Sequence, residues 1–180
     1  IQGELMPGFI DAAKTELKAL SDLGAWVVEK LPEGKIPINT RMVFDLKWSI
    51  EHGRFERFKC RLCAQGFRQI AYDSYDPDQI SSPVMTASSL NAILIMASKL
   101  NLKLNTLDVK NAFITAKLDD KIWIKLPAYC KVMDGDIKLD TNVLLLKSAL
   151  YGLKNSSKCF FNSLKKFLTK IGFIQSDQDP

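Results

Sequence analysis

The chain has 180 residues, of which 47% are hydrophobic and 25% charged, and its net charge is +5 at pH 7. This composition is typical of a folded globular domain and excludes a disordered or fibrous chain. No apolar run approaches the roughly 20 residues of a membrane-spanning helix, and residues 1–30 predict no secretory leader. The four cysteines are too few for a disulfide scaffold, which predicts an intracellular protein, cytoplasmic or nuclear. Because no apolar run is long enough to span a membrane, no membrane partner is expected. The single histidine, His52, argues against a His-rich metal centre.

Basic residues are concentrated in two parts of the chain. Residues 41–70 contain seven lysines and arginines against three acids, and residues 141–176 contain six lysines and no acid. Such segments suit a protein that binds phosphate groups, but two solvated faces of a stable domain have the same composition. Charge alone therefore leaves nucleic-acid or nucleotide binding open.

The first third of the sequence predicts a helix, a connector and a β-hairpin. Apolar residues recur at helical spacing over residues 10–23, and residues 30–39 contain two prolines and a glycine. Residues 41–50 and 55–63 are strand-like and are joined by the turn Glu51-His52-Gly53. Cationic and apolar residues alternate along the second strand: Arg57, Phe58, Lys59, Cys60, Arg61 and Leu62. Successive side chains of a strand point to opposite faces, so the three cations are predicted to share one face.

Helices and strands are mixed in the rest of the chain. Ser88 or Ser89 could cap a helix that runs to about Leu100, and apolar residues nearly encircle this helix, which predicts that it is buried. The later elements are a strand at 103–108, a helical turn at 110–113, strands at 122–126 and 143–146, and a helix at 156–171 ended by Gly172. The pattern predicts an α+β fold.

Two acidic positions could bind a metal ion. Asp108 ends the strand predicted at 103–108, where a carboxylate could ligate Mg²⁺ or cap a helix over residues 109–114. The pair Asp119-Asp120 lies between lysines, where a solvated turn is the expectation.

Cysteines and glycines carry less information. Cys60 and Cys63 have the spacing of half a zinc site, but Cys130 and Cys159 stand alone, which favours structural cysteines. The sequence contains no phosphate-binding glycine loop, no dinucleotide-binding fingerprint and no nucleophile elbow.

Four segments carry a family resemblance. They are RFKCRLCAQGF at residues 57–67, SPV at 82–84, LDVKNAF at 107–113 and KSALYGLKNS at 147–156. Together they resemble the N-terminal portion of the reverse transcriptase of copia-type long-terminal-repeat retrotransposons, and the resemblance covers residues 12–180. The pair LDVKNAF and LYGLK is the most specific part of the match.

The resemblance implies the right-hand polymerase architecture, of which this chain would supply the fingers and the first part of the palm. Residues 1–40 would form an N-terminal helix and connector, 41–100 a fingers-like hairpin with a buried helix, and 101–180 a partial palm with a C-terminal helix. The implied activity is RNA-directed DNA polymerisation, a nucleotidyl transfer with two Mg²⁺ ions. The implied partners are an RNA or DNA template-primer, deoxynucleoside triphosphates and the rest of a Pol polyprotein.

The resemblance also implies roles for individual residues. Asp108 matches the first catalytic aspartate and a Mg²⁺ ligand, and the Val109 carbonyl matches the accessory ligand. Phe113 matches the bulky residue that lies under the sugar and excludes a 2′-hydroxyl. The remaining matches are Lys59 and Arg61 at the triphosphate, Tyr151 and Gly152 against the incoming nucleotide, and Lys154 and Lys158 at the nucleic acid.

The sequence departs from that family in two respects. The family's other two catalytic aspartates form an adjacent pair downstream of the stretch that ends at residue 180, and Asp119-Asp120 follows Asp108 too closely to replace them. Unusual residues for the family are Cys60, Cys63, Gln65 and the pair Cys159-Phe160. Two functions are therefore open: a part of a polymerase that is inactive alone, or a non-catalytic remnant or co-opted module that binds nucleic acid.

Overall fold

The computed structural model describes residues 2–128, 130, 142–177 and 179. Within these residues the chain is mixed α/β, with three long α-helices and five strands, which confirms the predicted α+β class. In chain order the elements are α1 (Gln2–Asp22), β1 (Trp26–Lys30), β2 (Ile38–Trp48), β3 (Phe55–Ala64), α2 (Ala87–Lys99), β4 (Trp123–Lys125), β5 (Asn142–Leu146) and α3 (Ser156–Lys170). None of these helices is long and apolar enough to cross a membrane.

The five strands form one sheet in the order β1-β5-β4-β2-β3. Strands β2 and β4 run parallel, and the other neighbouring pairs are antiparallel. The sheet joins residues that are far apart in the chain, since Trp26 lies opposite Leu146 and Ile38 lies opposite Ile124. Its strands therefore come from the first 40 residues, from the hairpin and from the part of the chain after residue 100.

Strands β2 and β3 form the predicted hairpin, with Asp45 opposite Lys59. Burial alternates along β3: Cys60 and Leu62 are buried, while Lys59 and Arg61 are partly exposed. This confirms the two faces that the alternating sequence predicts, because consecutive strand residues point in opposite directions.

Helix α1 covers the apolar face of β3. Leu17 and Leu20 are each 2% exposed and share a core with Leu62. On the same helix, the Glu16 carboxylate accepts a hydrogen bond from the backbone N–H of Leu62 at 3.1 Å. Strand β3 is at the edge of the sheet, so this carboxylate satisfies a backbone donor for which the described sheet has no further strand. Burial raises the pKa of Glu16, although the Leu62 N–H and the Arg61 charge oppose this shift.

Helix α2 is exposed, so the prediction that it is buried is wrong. Only Ala97 of this helix is buried, and Ile95 is 57% exposed. No other described element packs extensively against α2, so its apolar side chains have no surface to bury them. The predicted cap is also wrong: Thr86, not Ser88 or Ser89, precedes the helix, and its Oγ1 accepts a hydrogen bond from the Ser89 N–H at 3.2 Å.

The strand predicted at residues 103–108 is absent. Residues 102–109 have no regular structure and all are exposed, with Leu107 97% exposed. A strand is stable only beside a hydrogen-bonded neighbour, and the described strands pair with one another elsewhere. The other late elements are confirmed as β4, β5 and α3, and the turn expected at 110–113 is part of a short 3₁₀ helix, Ala112–Thr115.

Candidate functional site

The face of β3 opposite helix α1 is strongly basic. Lys59 and Arg61 are on this face, and their neighbours in the hairpin include Lys47 and Arg57. Partial burial, followed by repulsion from Arg61 and Lys47, lowers the pKa of Lys59, while Asp45 opposite it acts in the other direction. Positive charges held this close together favour binding of an anion such as a phosphate.

Arg61 belongs to a cluster that also contains Tyr151 and Phe113. The Arg61 guanidinium carbon lies 5.7 Å from the centroid of the Tyr151 ring, a cation–π geometry. The Phe113 ring meets the Tyr151 ring edge to face, with centroids 4.8 Å apart and an interplanar angle of 74°. Three of the residues matched to nucleotide binding are thus brought together from three distant segments of the chain.

A third aromatic ring, that of Phe160 in α3, joins this cluster through Phe113. Its ring lies 6.4 Å from the Phe113 ring at an interplanar angle of 86°, so Phe113 is held between Tyr151 and Phe160. The sequence places Phe160 in the helix predicted at 156–171 and, with Cys159, marks it as unusual for the family. Its spacing from the 3₁₀ helix that carries Phe113 is a tertiary property, and no local pattern indicates this contact.

The loop at residues 150–154 is packed tightly against the end of β3. The Ala64 N–H donates a hydrogen bond to the Tyr151 carbonyl at 2.7 Å. Gly152 has φ +88°, and a Cβ at this position would overlap the Ala64 carbonyl oxygen. Gly66 faces the same loop, since a Cβ there would overlap the Gly152 carbonyl oxygen. Gly152 is therefore required for backbone contact as well as for its left-handed conformation.

The two lysines matched to nucleic-acid binding are both partly buried and lie over aromatic rings. The Lys154 ammonium donates a hydrogen bond to the Tyr75 hydroxyl oxygen at 3.0 Å and lies 4.4 Å from the centroid of that ring. The Lys158 ammonium lies 5.4 Å from the centroid of the Phe161 ring. Both charges are thereby positioned rather than freely mobile.

Asp108 and Val109 lie in the irregular segment 102–109 and are exposed. No side-chain hydrogen bond or ion pair within the described part of the chain engages the Asp108 carboxylate. The role of Asp108 as a helix cap is not realised, because the 3₁₀ helix after it begins beyond Asn111. Its role as a metal ligand stays a prediction. In the described residues, no group of three or more His, Cys, Asp or Glu side chains could hold a metal ion.

The prediction that Asp119 and Asp120 lie in a solvated turn is wrong for Asp120. It is half-buried, and its Oδ2 accepts a hydrogen bond from the Asn155 side-chain amide at 2.7 Å. Burial and the neighbouring Asp119 charge raise the pKa of Asp120. Asp119 itself is exposed, as expected. The two carboxylates differ in exposure because Asn155, which precedes α3 and is 3% exposed, hydrogen-bonds only that of Asp120. The spacing of these residues in the sequence does not indicate this contact.

The cysteines of the Cys-x-x-Cys string occupy different environments. Cys60 is buried beneath α1, and its Sγ lies 3.5 Å from the Met42 Sδ, whereas Cys63 is only partly buried. Burial raises the pKa of Cys60 to about 12 and also raises that of Cys63. Positions 60 and 63 of one strand face opposite sides, so the two thiols do not converge on a common site, which agrees with the structural role predicted for them.

The chain is similar to reverse transcriptases. Residues 24–179 match the family described as reverse transcriptase (RNA-dependent DNA polymerase). The retrovirus-related Pol polyprotein from transposon TNT 1-94 of Nicotiana tabacum is 31% identical over 169 residues, which are 94% of this chain and 12% of that protein. The corresponding polyprotein from transposon RE1 of Arabidopsis thaliana is 30% identical, with 94% and 11% covered.

A more distant relative is the Gag-Pol polyprotein of transposon Ty1-ER2 of Saccharomyces cerevisiae. It is 26% identical over 162 residues, which are 90% of this chain and 9% of that protein. By length, the chain spans about an eighth of the tobacco relative described above. No solved structure matches it.

Proposed function

The chain belongs to the reverse transcriptase family, and we propose that it is part of an RNA-directed DNA polymerase within a retrotransposon Pol polyprotein, where the cluster of Arg61, Tyr151 and Phe113 binds the incoming deoxynucleotide. The single observation that carries this proposal is the convergence of these three side chains from segments about 40 to 90 residues apart in sequence. Motif matches alone do not require such convergence.

The chemistry of the cluster suits a deoxynucleoside triphosphate. Lys59 and Arg61 supply cations for the phosphate oxygens, and charge-assisted hydrogen bonds are about twice as strong as neutral ones. Tyr151 and Phe113 supply aromatic surface for the sugar and base. The half-buried Phe113, held between two rings, would obstruct a 2′-hydroxyl and so favour deoxynucleotides over ribonucleotides.

Asp108, with the Val109 carbonyl, is the proposed ligand set for Mg²⁺. Carboxylate and carbonyl oxygens are the donors that this ion prefers, and the Asp108 carboxylate is exposed and free of competing side-chain partners within the described residues. Magnesium bound there would supply the charge that a triphosphate needs for in-line displacement by a primer 3′-oxygen. Asp108 and Val109 together offer one negative charge, which is too little to hold two divalent ions.

Family membership supports a proposal for the architecture. We place the β2–β3 hairpin in the fingers and the region after residue 100 in the first part of the palm. Lys154 and Lys158 would then contact the template-primer, adding a salt-dependent component to binding. We also propose that the protein acts inside the cell.

Primer extension tests the proposed activity. The 180-residue chain should not extend a DNA primer on an RNA template with Mg²⁺, whereas a version extended through a downstream aspartate pair should do so. Asp108→Asn should abolish extension by the longer version, and Asp119→Asn should not. Mg²⁺-dependent extension by the 180-residue chain that disappears in Asp108→Asn would show that another residue of this chain supplies the second acid.

A non-catalytic nucleic-acid-binding module is the second candidate. The observation that favours it is the irregular, exposed segment 102–109, because a catalytic aspartate normally needs a rigid support. Salt-sensitive RNA binding by the chain, combined with no extension by the longer version, would favour this candidate.

A further inference from the structure

The loop that carries Tyr151 has a second attachment, to a segment outside the site described above. Gln69 is 5% exposed, and its side-chain carbonyl Oε1 accepts a hydrogen bond from the Lys154 backbone N–H at 2.7 Å. Its Nε2 donates a hydrogen bond to the Ser74 carbonyl at 3.0 Å. One buried amide thus joins two backbone segments that are about 80 residues apart in sequence.

Residues 69–75, which we call the clasp, form a closed turn of their own. The Tyr72 N–H donates to the Tyr75 carbonyl at 2.8 Å, and the Ser74 hydroxyl oxygen accepts from the Ile70 N–H, also at 2.8 Å. The clasp also contacts the loop through Tyr75, whose ring and hydroxyl both engage the Lys154 ammonium. The clasp is therefore a preformed support rather than a segment ordered only by Gln69.

Two hydrogen bonds to the backbone of the loop lie on either side of Gly152. On one side the Ala64 N–H donates to the Tyr151 carbonyl, and on the other side Gln69 accepts from the Lys154 N–H. Ala64 and Gln69 both follow Arg61 closely on the same piece of chain, at the end of β3 and just after it. A loop held at two points by one support cannot rotate about either of them.

We propose that Gln69 is a positioning residue that fixes Tyr151 against Arg61, and so sets the width of the deoxynucleotide site. The step from loop geometry to nucleotide affinity rests on the function proposed above, whereas the geometric step does not. Gln69 suits this role because its side chain offers an acceptor and a donor at once. Methionine has a similar length and shape but would leave the Lys154 N–H and the Ser74 carbonyl unpaired.

Amide hydrogen exchange of the 180-residue chain tests the geometric step. Gln69→Met should accelerate exchange about tenfold at two amides, those of Lys154 and Ala64, because loss of one attachment loosens the other. Amides in the β1–β5 pairing should keep their rates. The matched control is Gln79→Met, at an exposed glutamine. Acceleration limited to residues 70–75, or to Lys154 alone, would overturn the proposal, as would unchanged rates.

A second variant keeps the test decisive if Gln69→Met unfolds the chain, which β1–β5 exchange would reveal. Gln69→Glu retains an acceptor for the Lys154 N–H but can donate to the Ser74 carbonyl only when it is protonated. The protection factors of Lys154 and Ala64 in this variant should therefore be lower at pH 8 than at pH 4, where the carboxyl is largely protonated, while wild type shows no such change. Equal protection at both pH values would contradict a role for the donor side of the amide.

Calorimetric titration with dATP and Mg²⁺ tests the nucleotide step. We expect the Kd of Gln69→Met to rise about tenfold and that of Gln79→Met to stay at the wild-type value. If Gln69→Met binds dATP as tightly as wild type, Gln69 does not set the site. If wild type does not bind dATP, the proposed nucleotide site fails, while the exchange result still decides whether Gln69 positions Tyr151.

Discussion

Replacement of Gly152 by alanine tests the packing on which the candidate site depends. Gly152 has φ +88°, and a Cβ there would overlap the backbone carbonyl oxygen of Ala64, which the β2–β3 hairpin holds in place. The left-handed conformation alone costs a non-glycine residue about 1–2 kcal/mol. Forcing an extra carbon into a packed position adds about 1–3 kcal/mol. We therefore expect Gly152→Ala to lower the free energy of unfolding by about 2–5 kcal/mol, a large part of the 5–15 kcal/mol typical of a domain.

The chain contains a control for each of these contributions. Gly34 has φ +77° with no atom within 4 Å of its hypothetical Cβ, so Gly34→Ala should show the conformational contribution alone. Gly66 does not have a positive φ, but its Cβ would overlap the Gly152 carbonyl oxygen, so Gly66→Ala should show the steric contribution alone. Urea unfolding followed by the fluorescence of the buried Trp26 and Trp123 measures all three variants. A Gly152→Ala loss no larger than that of Gly34→Ala would refute the packing argument.

Three further predictions concern single side chains. Arg61→Gln should weaken dATP binding at least tenfold in calorimetry, since a charge-assisted contact is worth about 1.5–3 kcal/mol. The control Arg54→Gln, in the exposed hairpin turn, should leave the affinity unchanged. Equal affinities of the two variants would argue against Arg61 as a phosphate ligand. Burial raises the pKa of Glu16 above 4.5, so the unfolded chain loses its proton first and wild type should lose stability relative to Glu16→Gln as the pH rises above 4.5. Urea unfolding of both proteins at pH 4 and pH 7 measures this difference, and parallel stabilities would contradict it. Burial raises the pKa of Cys60 to about 12, so iodoacetamide at pH 8 should modify Cys60 only in urea, as mass spectrometry can detect; equally fast labelling of the folded chain would exclude this burial.

The hairpin shows what local sequence can predict. Alternation along β3 and a turn ending in glycine act over a few residues, and the partner strand is close by in the chain, so the hairpin and the two faces of β3 follow from the sequence. Residues 103–108 have a similar apolar pattern but no adjacent partner. Their pattern predicted a strand that the fold does not form, because strand formation depends on a neighbour supplied by the tertiary structure.

Helix α2 shows the same limit for burial. Its apolar residues, such as Ile95, predicted a helix inside the core, and the helix itself forms as expected. The helical spacing of its residues and the cap at Thr86 are local features of the chain, so a helix over these residues can be predicted from the sequence. Burial depends on whether another element covers the helix, which its own sequence does not specify.

In the candidate site, too, the sequence predicted some features and only the tertiary structure decided others. Short motifs around Arg61, Phe113 and Tyr151 were sufficient to indicate the family, because the matching residue types are written directly in the sequence. The chemical role of each residue stays a prediction. Only the tertiary structure decided that these three side chains meet, that Phe160 supports Phe113, and that the buried amide of Gln69 holds the Tyr151 loop. The physical reason is that each of these contacts joins segments separated by tens of residues, so its distance and direction are set by how the sheet and helices pack and not by any pattern within one segment.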